Sequence, residues 1–462
     1  MHCSKLKAGA LALALLMVGG AAFAQVNTGA ANFATYVAFG DSLTAGYSNG
    51  SIYEKFQRNS YPALIYRQAT GKTTGFEQPL VSAPGLPGAL RLTGLFPTMI
   101  TPTPGSGQPI NLNLLGAYNN MAVPGASLHD LLTKTASTSA TDPTDLILRR
   151  QNATQLQEGL SRKPTFVSLW IGNNDALGAA TSGIAVEGVT LTPAAQFDAE
   201  YRAVVNAITV TAGVKQLVVA NIPDVTSIPF VTTIPRFLVN PRTNQLVRDP
   251  GGNPIPLIGP DGPLQAGDFV LLTASAELGV GRGVPVAFGG TGVPLSNNAV
   301  LSAAEAAVIK THVDAYNTTI RTVANEKGAA FVDANAVLRN IASNGLRIGG
   351  ISYSSAFLTG GIFGYDGVHP TPLGYAYVAN LFIDAINATY GGDIPEVDLY
   401  PFVFGPLPSA TAAISSDKAS SGDFTSYVFT PEARRSLLLS LNVPKWIVEG
   451  TKPPRKPRHP RG

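Results

Sequence analysis

Short apolar runs alternate along this chain with stretches whose apolar residues recur every three or four positions. Tyr36–Phe39, Thr165–Ile171, Gln216–Ala220 and Ala329–Asp333 have the length and composition of buried strands, and Met121–Val123 is a weaker candidate. Helical patterns fill the gaps. Thr192-Pro193 predicts an N-cap and a proline at the first helical position, ahead of an apolar stripe of Phe197, Tyr201, Val204, Val205 and Ile208. Ser302-Ala-Ala-Glu305 is a capping box, and the stripe behind it runs Ile309, His312, Val313, Tyr316, Ile320 and Val323. Buried strands alternating with amphipathic helices predict an α/β fold with a parallel sheet covered on both faces. Such sheets carry their sites at the carboxyl ends of the strands.

Two long segments interrupt the alternation. Residues 76–109 hold twelve Gly or Pro residues among apolar ones such as Leu92, Leu95, Phe96 and Ile100, so they read as an ordered loop excursion rather than a sheet element. Residues 228–298 contain a predicted β-hairpin, Phe237–Val239 with Gln245–Arg248, around an Asn-Pro-Arg-Thr-Asn turn. Apolar loops of this length read as a lid or pocket wall, or as surface decoration. A helix from Thr371 to about Asn387 follows. Residues 391–450 then form a C-terminal extension with one more helix, capped by Thr430 and starting at Pro431.

The two ends have their own composition. The first 24 residues combine Lys5 and Lys7, an apolar run Ala8–Val18, and Ala22 and Ala24 before Gln25, the pattern of a cleavable signal peptide. The expected mature chain, cut after Ala24, is exported to the periplasm or beyond. Residues 451–462 are a Pro/Arg/Lys tail expected to be disordered, with possible weak contact to an anionic envelope as a secondary reading. Cys3 is the only cysteine and leaves with the signal, which excludes disulfides, a thiol nucleophile and a cysteine metal site. Removing Lys5 and Lys7 from the 32 basic residues leaves 30 against 29 acidic ones. Five of the basic residues lie in the tail, so the body is mildly acidic, which argues against nucleic acid as a partner. Charged residues make up only 13%, about half the usual share, and a weakly charged surface suits an uncharged or amphiphilic substrate.

Three motifs carry chemistry: Gly40-Asp41-Ser42-Leu43, Gly172-Asn173-Asn174-Asp175 and Asp366-Gly367-Val368-His369-Pro370. A serine hydroxyl becomes a nucleophile when a neutral imidazole takes its proton, so the choice of histidine matters. Of five histidines, His2 lies in the signal and His459 in the tail. His312 sits on an apolar helix stripe as a core histidine, and His129 is placed on a helix surface. His369 differs because Asp366, three residues earlier, can reach its Nδ1 and fix its tautomer. Ser42 follows a strand, where an N-cap serine is the alternative reading. Asn174 carries an amide able to donate to an oxyanion, or is a turn residue. Several other motifs fail. Gly71-Lys72-Thr73 lacks the P-loop glycine, Tyr66 standing in its place; Gly279-Val-Gly-Arg-Gly283 lacks the dinucleotide spacing; His-Glu-x-x-His is absent, as is Gly-x-Ser-x-Gly around Ser42.

Together with Gly125 in Asn-Met-Ala-Val-Pro-Gly-Ala, these motifs resemble the four sequence blocks of the GDSL lipase/esterase family, or SGNH hydrolases, in order from Tyr36 to about Asn387. The resemblance implies a three-layer, flavodoxin-like α/β/α sandwich with a five-stranded parallel sheet, and no metal or organic cofactor. It implies Ser42 as nucleophile, His369 as base and Asp366 as its orienting acid. The Ser42 and Gly125 backbone N–H groups and the Asn174 side chain would form the oxyanion hole. The domain expected is thus 25–390, with insertions at about 76–109 and 228–298 that the minimal family pattern lacks. The expected activity is carboxylic ester hydrolysis through an acyl-serine intermediate. A carbohydrate O-acetylesterase, with Trp170 and Tyr365 as sugar platforms, is the nearest alternative, and a non-catalytic envelope-binding protein a more remote one. Oligomeric state is left open.

Overall fold

A computed structural model describes residues 26–95, 98–136, 143–240, 243, 245–404, 427–440 and 443–451. The expected signal peptide lies outside these residues, and so does the basic tail apart from Thr451. Four parallel strands form the central sheet: β1 (Tyr36–Gly40), β2 (Phe166–Trp170), β3 (Gln216–Ala220) and β4 (Ala330–Val332), in spatial order 1-2-3-4. The fifth expected place is taken by Asn119–Val123, which runs beside β1 and pairs with it in parallel through a bridge at Asn120 and Ala38. Its bonds are Ala38 N–H to the Asn119 carbonyl at 2.8 Å and Met121 N–H to the Ala38 carbonyl at 2.9 Å.

Residues alternate between the faces of these strands, which dictates the three layers. Val37, Phe39, Val167, Leu169, Leu217 and Val219 join one core cluster; Tyr36, Ala38, Phe166, Trp170, Val218 and Ala220 join the other. On the first face lie α5 (Ala194–Asn206) and α6 (Ala303–Lys327), where Phe197 stacks on Tyr316 at 4.2 Å. On the second lie α2 (Tyr61–Thr70) and α8 (Pro372–Tyr390), where Tyr61 stacks on Phe382 at 4.4 Å. The short helices α1 (Ser42–Ala45), α3 (Leu128–Thr133), α4 (Asn174–Ser182) and α7 (Ala334–Asn344) complete the elements used below. Ser302 and Glu305 form the expected capping box of α6. At α5 the expectation fails: Pro193 is the cap residue and makes no side-chain bond, because the Thr192 hydroxyl donates instead to the buried carboxylate of Asp175 at 2.6 Å.

The first insertion corrects the loop expectation. Leu90–Leu95 pairs antiparallel with Thr98–Pro102, and Tyr427–Phe429 adds a third, parallel strand from the far end of the chain. The breakers that hid these strands sit where sheets tolerate them: Pro102 ends a strand and Gly94 marks a register shift after Leu92. The second insertion contains the hairpin, Val239–Asn240 against Gln245–Leu246. It also has a satellite core of Leu257, Leu264, Val270 and Leu295, and is joined to the main core by Phe230, Leu271 and Leu272.

The C-terminal extension is part of the packed interior. Ile394 and Val397 enter one core cluster and Phe429, Leu437, Leu438 and Ile447 the other. Thr430 caps the helix Pro431–Ser440 by accepting from Ala433 N–H. No helix among the described residues is long and apolar enough to cross a membrane. Phe429 is fully buried and paired with Ile100, so Phe429→Ala is expected to cost about 3–5 kcal/mol. Urea unfolding of the full chain checks this, and an unchanged midpoint would mean that the extension is not bound into the core.

Candidate active site

The turn after β1 is shaped by close approach. A Cβ on Gly40 would lie 2.4 Å from the Trp170 carbonyl oxygen, so only glycine fits where the two strands end together. Asp41, not Ser42, is the N-cap of α1: its Oδ1 accepts from Leu43 N–H at 3.0 Å. This arrangement releases the Ser42 hydroxyl from capping, and its Oγ lies 2.8 Å from His369 Nε2. Both residues are buried, and the other described histidines are occupied elsewhere. His129, on the surface of α3, pairs with Glu200 at 2.7 Å; His312 is half-buried and bonds the Val308 carbonyl at 2.9 Å.

His369 is held by a fully buried carboxylate. Asp366 Oδ2 lies 3.1 Å from His369 Nδ1 and accepts from Gly50 N–H at 2.6 Å, while Oδ1 accepts from the N–H groups of Val368 and His369 at 2.9 and 2.8 Å. Burial alone would raise this carboxyl, but the charge and hydrogen bonds of His369, with the backbone donors, outweigh it and hold Asp366 below the ordinary carboxylate range. Gly367, with φ +69°, lets the turn close: a Cβ there would meet Leu272 Cδ2 at 3.0 Å and Phe230 N at 3.1 Å. The Phe230 N–H donates to the Gly367 carbonyl at 2.9 Å, so the second insertion is bonded directly to this turn.

The segment Tyr47–Gly50, not foreseen from the sequence, clamps the same turn. The Tyr47 ring packs against the His369 imidazole with centroids 4.7 Å apart, and its hydroxyl donates to the Gly50 carbonyl at 2.6 Å. Ser48 Oγ donates to the Pro370 carbonyl at 2.9 Å, and Asn49 Oδ1 accepts from Tyr365 N–H at 2.7 Å. The available signal was Asn49-Gly50, a turn pair in which both residues adopt positive φ, 52° and 68°.

On the other side of Ser42, Asn174 opens α4 and its Nδ2 donates to the Ala126 carbonyl at 2.9 Å, which fixes the amide beside Gly125. Gly125 has φ +82°, and its turn grows from β1 because Val123 N–H donates to the Gly40 carbonyl at 3.1 Å. The residues flanking Asn174 tie the turns together. Asn173 Nδ2 donates to Asp41 Oδ2 at 2.8 Å, and Asp175 Oδ2 accepts from Leu128 N–H at 2.9 Å. Trp170 is a core residue, 3% exposed with its indole N–H on the Asn221 carbonyl, which removes it as an exposed sugar platform. Tyr365 is partly buried against the main core. Among the described residues, no three His, Cys, Asp or Glu side chains are grouped to hold a metal ion.

Burial pushes the Asp41 carboxyl up to about 6, against hydrogen bonds from Asn173 and Leu43. Burial likewise pushes Asp175 up to about 7, against bonds from Thr192 and Leu128. Folded Asp41 therefore holds its proton more tightly than the unfolded chain does. Its contribution to stability is complete below pH 3.8 and is lost as pH rises through about 6. Asp41→Asn removes that loss, since Asn173 can rotate its unpartnered Oδ1 toward the new amide. The stability difference between Asp41→Asn and the wild type, from urea unfolding, should shift toward the variant by about 2 kcal/mol between pH 4 and pH 7. The same difference at both pH values would contradict a raised carboxyl at Asp41.

The sequence from residue 36 to 382 matches the family model described as GDSL-like Lipase/Acylhydrolase. A comparison with curated proteins gave no match. Among solved structures, an extracellular lipase from Streptomyces rimosus aligns at 18% identity over 77% of this chain and 98% of its own, with a TM-score of 0.33. An acetylxylan esterase from Geobacillus stearothermophilus, solved as a catalytic mutant, aligns at 14% identity over 76% and 93%, with a TM-score of 0.33. A phospholipase A1 from Streptomyces albidoflavus aligns at 17% identity over 77% and 98%, with a TM-score of 0.26. The family match takes in the parallel sheet and all three motifs, and with it the chain belongs to the GDSL-like lipase/acylhydrolase family of carboxylic ester hydrolases.

Proposed function

We propose that Ser42 is the nucleophile, with His369 as general base and Asp366 as its orienting acid. The observation that carries this is the continuous contact from Asp366 Oδ2 through His369 to Ser42 Oγ, at 3.1 and 2.8 Å, within a buried site. Ser42 Oγ attacks the ester carbonyl as Nε2 takes its proton. The proton then passes to the departing alcohol, leaving acyl-Ser42, and His369 next activates water to release the acid. Negative charge on the carbonyl oxygen would be met by the N–H groups of Ser42 and Gly125 and by the Asn174 amide. The Asn174 amide has two N–H bonds; with one committed to Ala126, the second is left for the oxyanion.

A carbohydrate ester is the second reading. It is favoured by a cleft of about 320 Å³ bordering Asn174, whose walls mix Ser127, His129, Thr192 and Gln196 with apolar groups. Export of the enzyme is a further part of this proposal and rests on the N-terminal pattern of Lys5, Lys7 and the apolar run behind them.

Hydrolysis of p-nitrophenyl acetate by the wild type sets the reference rate for the variants. Ser42→Ala should lose roughly 10⁴-fold or more in kcat and Asp366→Asn roughly 10³–10⁴-fold. Asn174→Ala should lose roughly 10²–10³-fold in kcat with little change in KM. A wild type that is folded, turns over no ester and resists organophosphate labelling at Ser42 would sink this assignment and leave the envelope-binding alternative.

A further inference from the structure

We propose that an apolar slot on the base side of the site holds a hydrocarbon chain of the ester substrate. The inference rests on the reading of Ser42 and His369 as the reacting pair, and it adds where the substrate lies. The slot has about 90 Å³ of free volume and lies at the carboxyl ends of β3 and β4, where open α/β sheets bind ligands. Its inner wall includes Leu43, the residue after Ser42, and Val368, the residue before His369. Val337 and Ile341 of α7 and Val378 of α8 form its flanks, and the second insertion adds Ile228.

Three observations select a hydrocarbon occupant. The slot has no charged side chain in its walls, so a charged or hydroxyl-rich group would lose its water there without replacement bonds. Val337, Tyr377, Val378 and Leu381 are only half-buried although apolar or aromatic, and a chain laid against them would complete their burial. The polar cleft borders Asn174 instead, whereas the slot borders the neighbours of His369, Val368 and Pro370, so the two pockets differ in polarity, as an amphiphilic ester requires. The insertion is a structural part of the slot. Ile228 stands two residues before Phe230, whose N–H holds the Gly367 carbonyl of the base turn.

The chain could belong to the acyl group or to the alcohol, and the test separates them. One arm compares p-nitrophenyl acetate with the butyrate and octanoate; the other compares ethyl acetate with butyl and octyl acetate. In one arm kcat/KM should rise about fourfold per added methylene until the slot is full. In that arm, Val337→Phe and Val378→Phe should each lower the octyl-to-acetyl or octyl-to-ethyl ratio at least tenfold. Binding is read separately in full-length Ser42→Ala carrying Trp446→Phe, where Trp170, which lines the slot, is the remaining tryptophan. Octyl acetate or p-nitrophenyl octanoate should change its fluorescence, and adding Val378→Phe should weaken that response at least tenfold. Chain-length ratios unaltered by both substitutions, or no fluorescence response to either ester, would overturn the slot. If the wild type turns over no ester but Trp170 responds, the slot stands and the assignment of the reacting pair fails.

Discussion

Asp366 is a carboxylate with essentially no access to water, and the geometry around His369 and Ser42 depends on how that burial is compensated. Four hydrogen bonds converge on its two oxygens, from Gly50, Val368, His369 N–H and His369 Nδ1. An ionised group in such a place is tolerated only when its lone pairs are occupied, so the donors cannot drift without a large cost. The same requirement that stabilises the charge therefore fixes the imidazole. It also joins two distant stretches of chain, the loop after α1 and the turn before α8.

Asp41 and Asp175 extend the principle. Each is buried, and each bonds across a gap between motifs: Asp41 to Asn173, and Asp175 to Leu128 and Thr192. Their raised pKa values show that burial outweighs the bonds they receive, the reverse of the balance at Asp366. Asp41 and Asp175 thus tie the serine turn, the amide turn and the glycine turn to one another, while Asp366 ties the His369 turn to Gly50. The fold supplies strand ends close in space, and these bonds set the last ångström.

The long additions act on this frame from outside it. The second insertion reaches the His369 turn through Phe230 and Gly367, while the strand Tyr427–Phe429 closes a small sheet with the first insertion. Both additions share the main core through Phe230, Ile100 and Phe429. A change in either is therefore felt as packing strain in a close-packed interior rather than as loss of a detachable module.

Much was legible in the sequence because it was local. A strand buried on both faces reads as an apolar run whatever its neighbours, and Ser302 with Glu305 caps a helix through atoms three residues apart. The three motifs could be read because the chemistry restricts residue type: a serine, a histidine with an acid one turn away, and an amide. What depended on distant partners was not legible. Thr192 looked like a cap until Asp175 claimed its hydroxyl, and Trp170 looked available until the Asn221 carbonyl and the core enclosed it. The strands of the first insertion were hidden because their third partner comes from the other end of the chain. By itself, then, the sequence determined the layered fold class and the family motifs with their residue types, since both follow from periodicity and side-chain chemistry. Only the tertiary structure decided which loop clamps His369, which residue caps α1 and where an apolar slot opens, because buried polar groups choose partners by proximity in space.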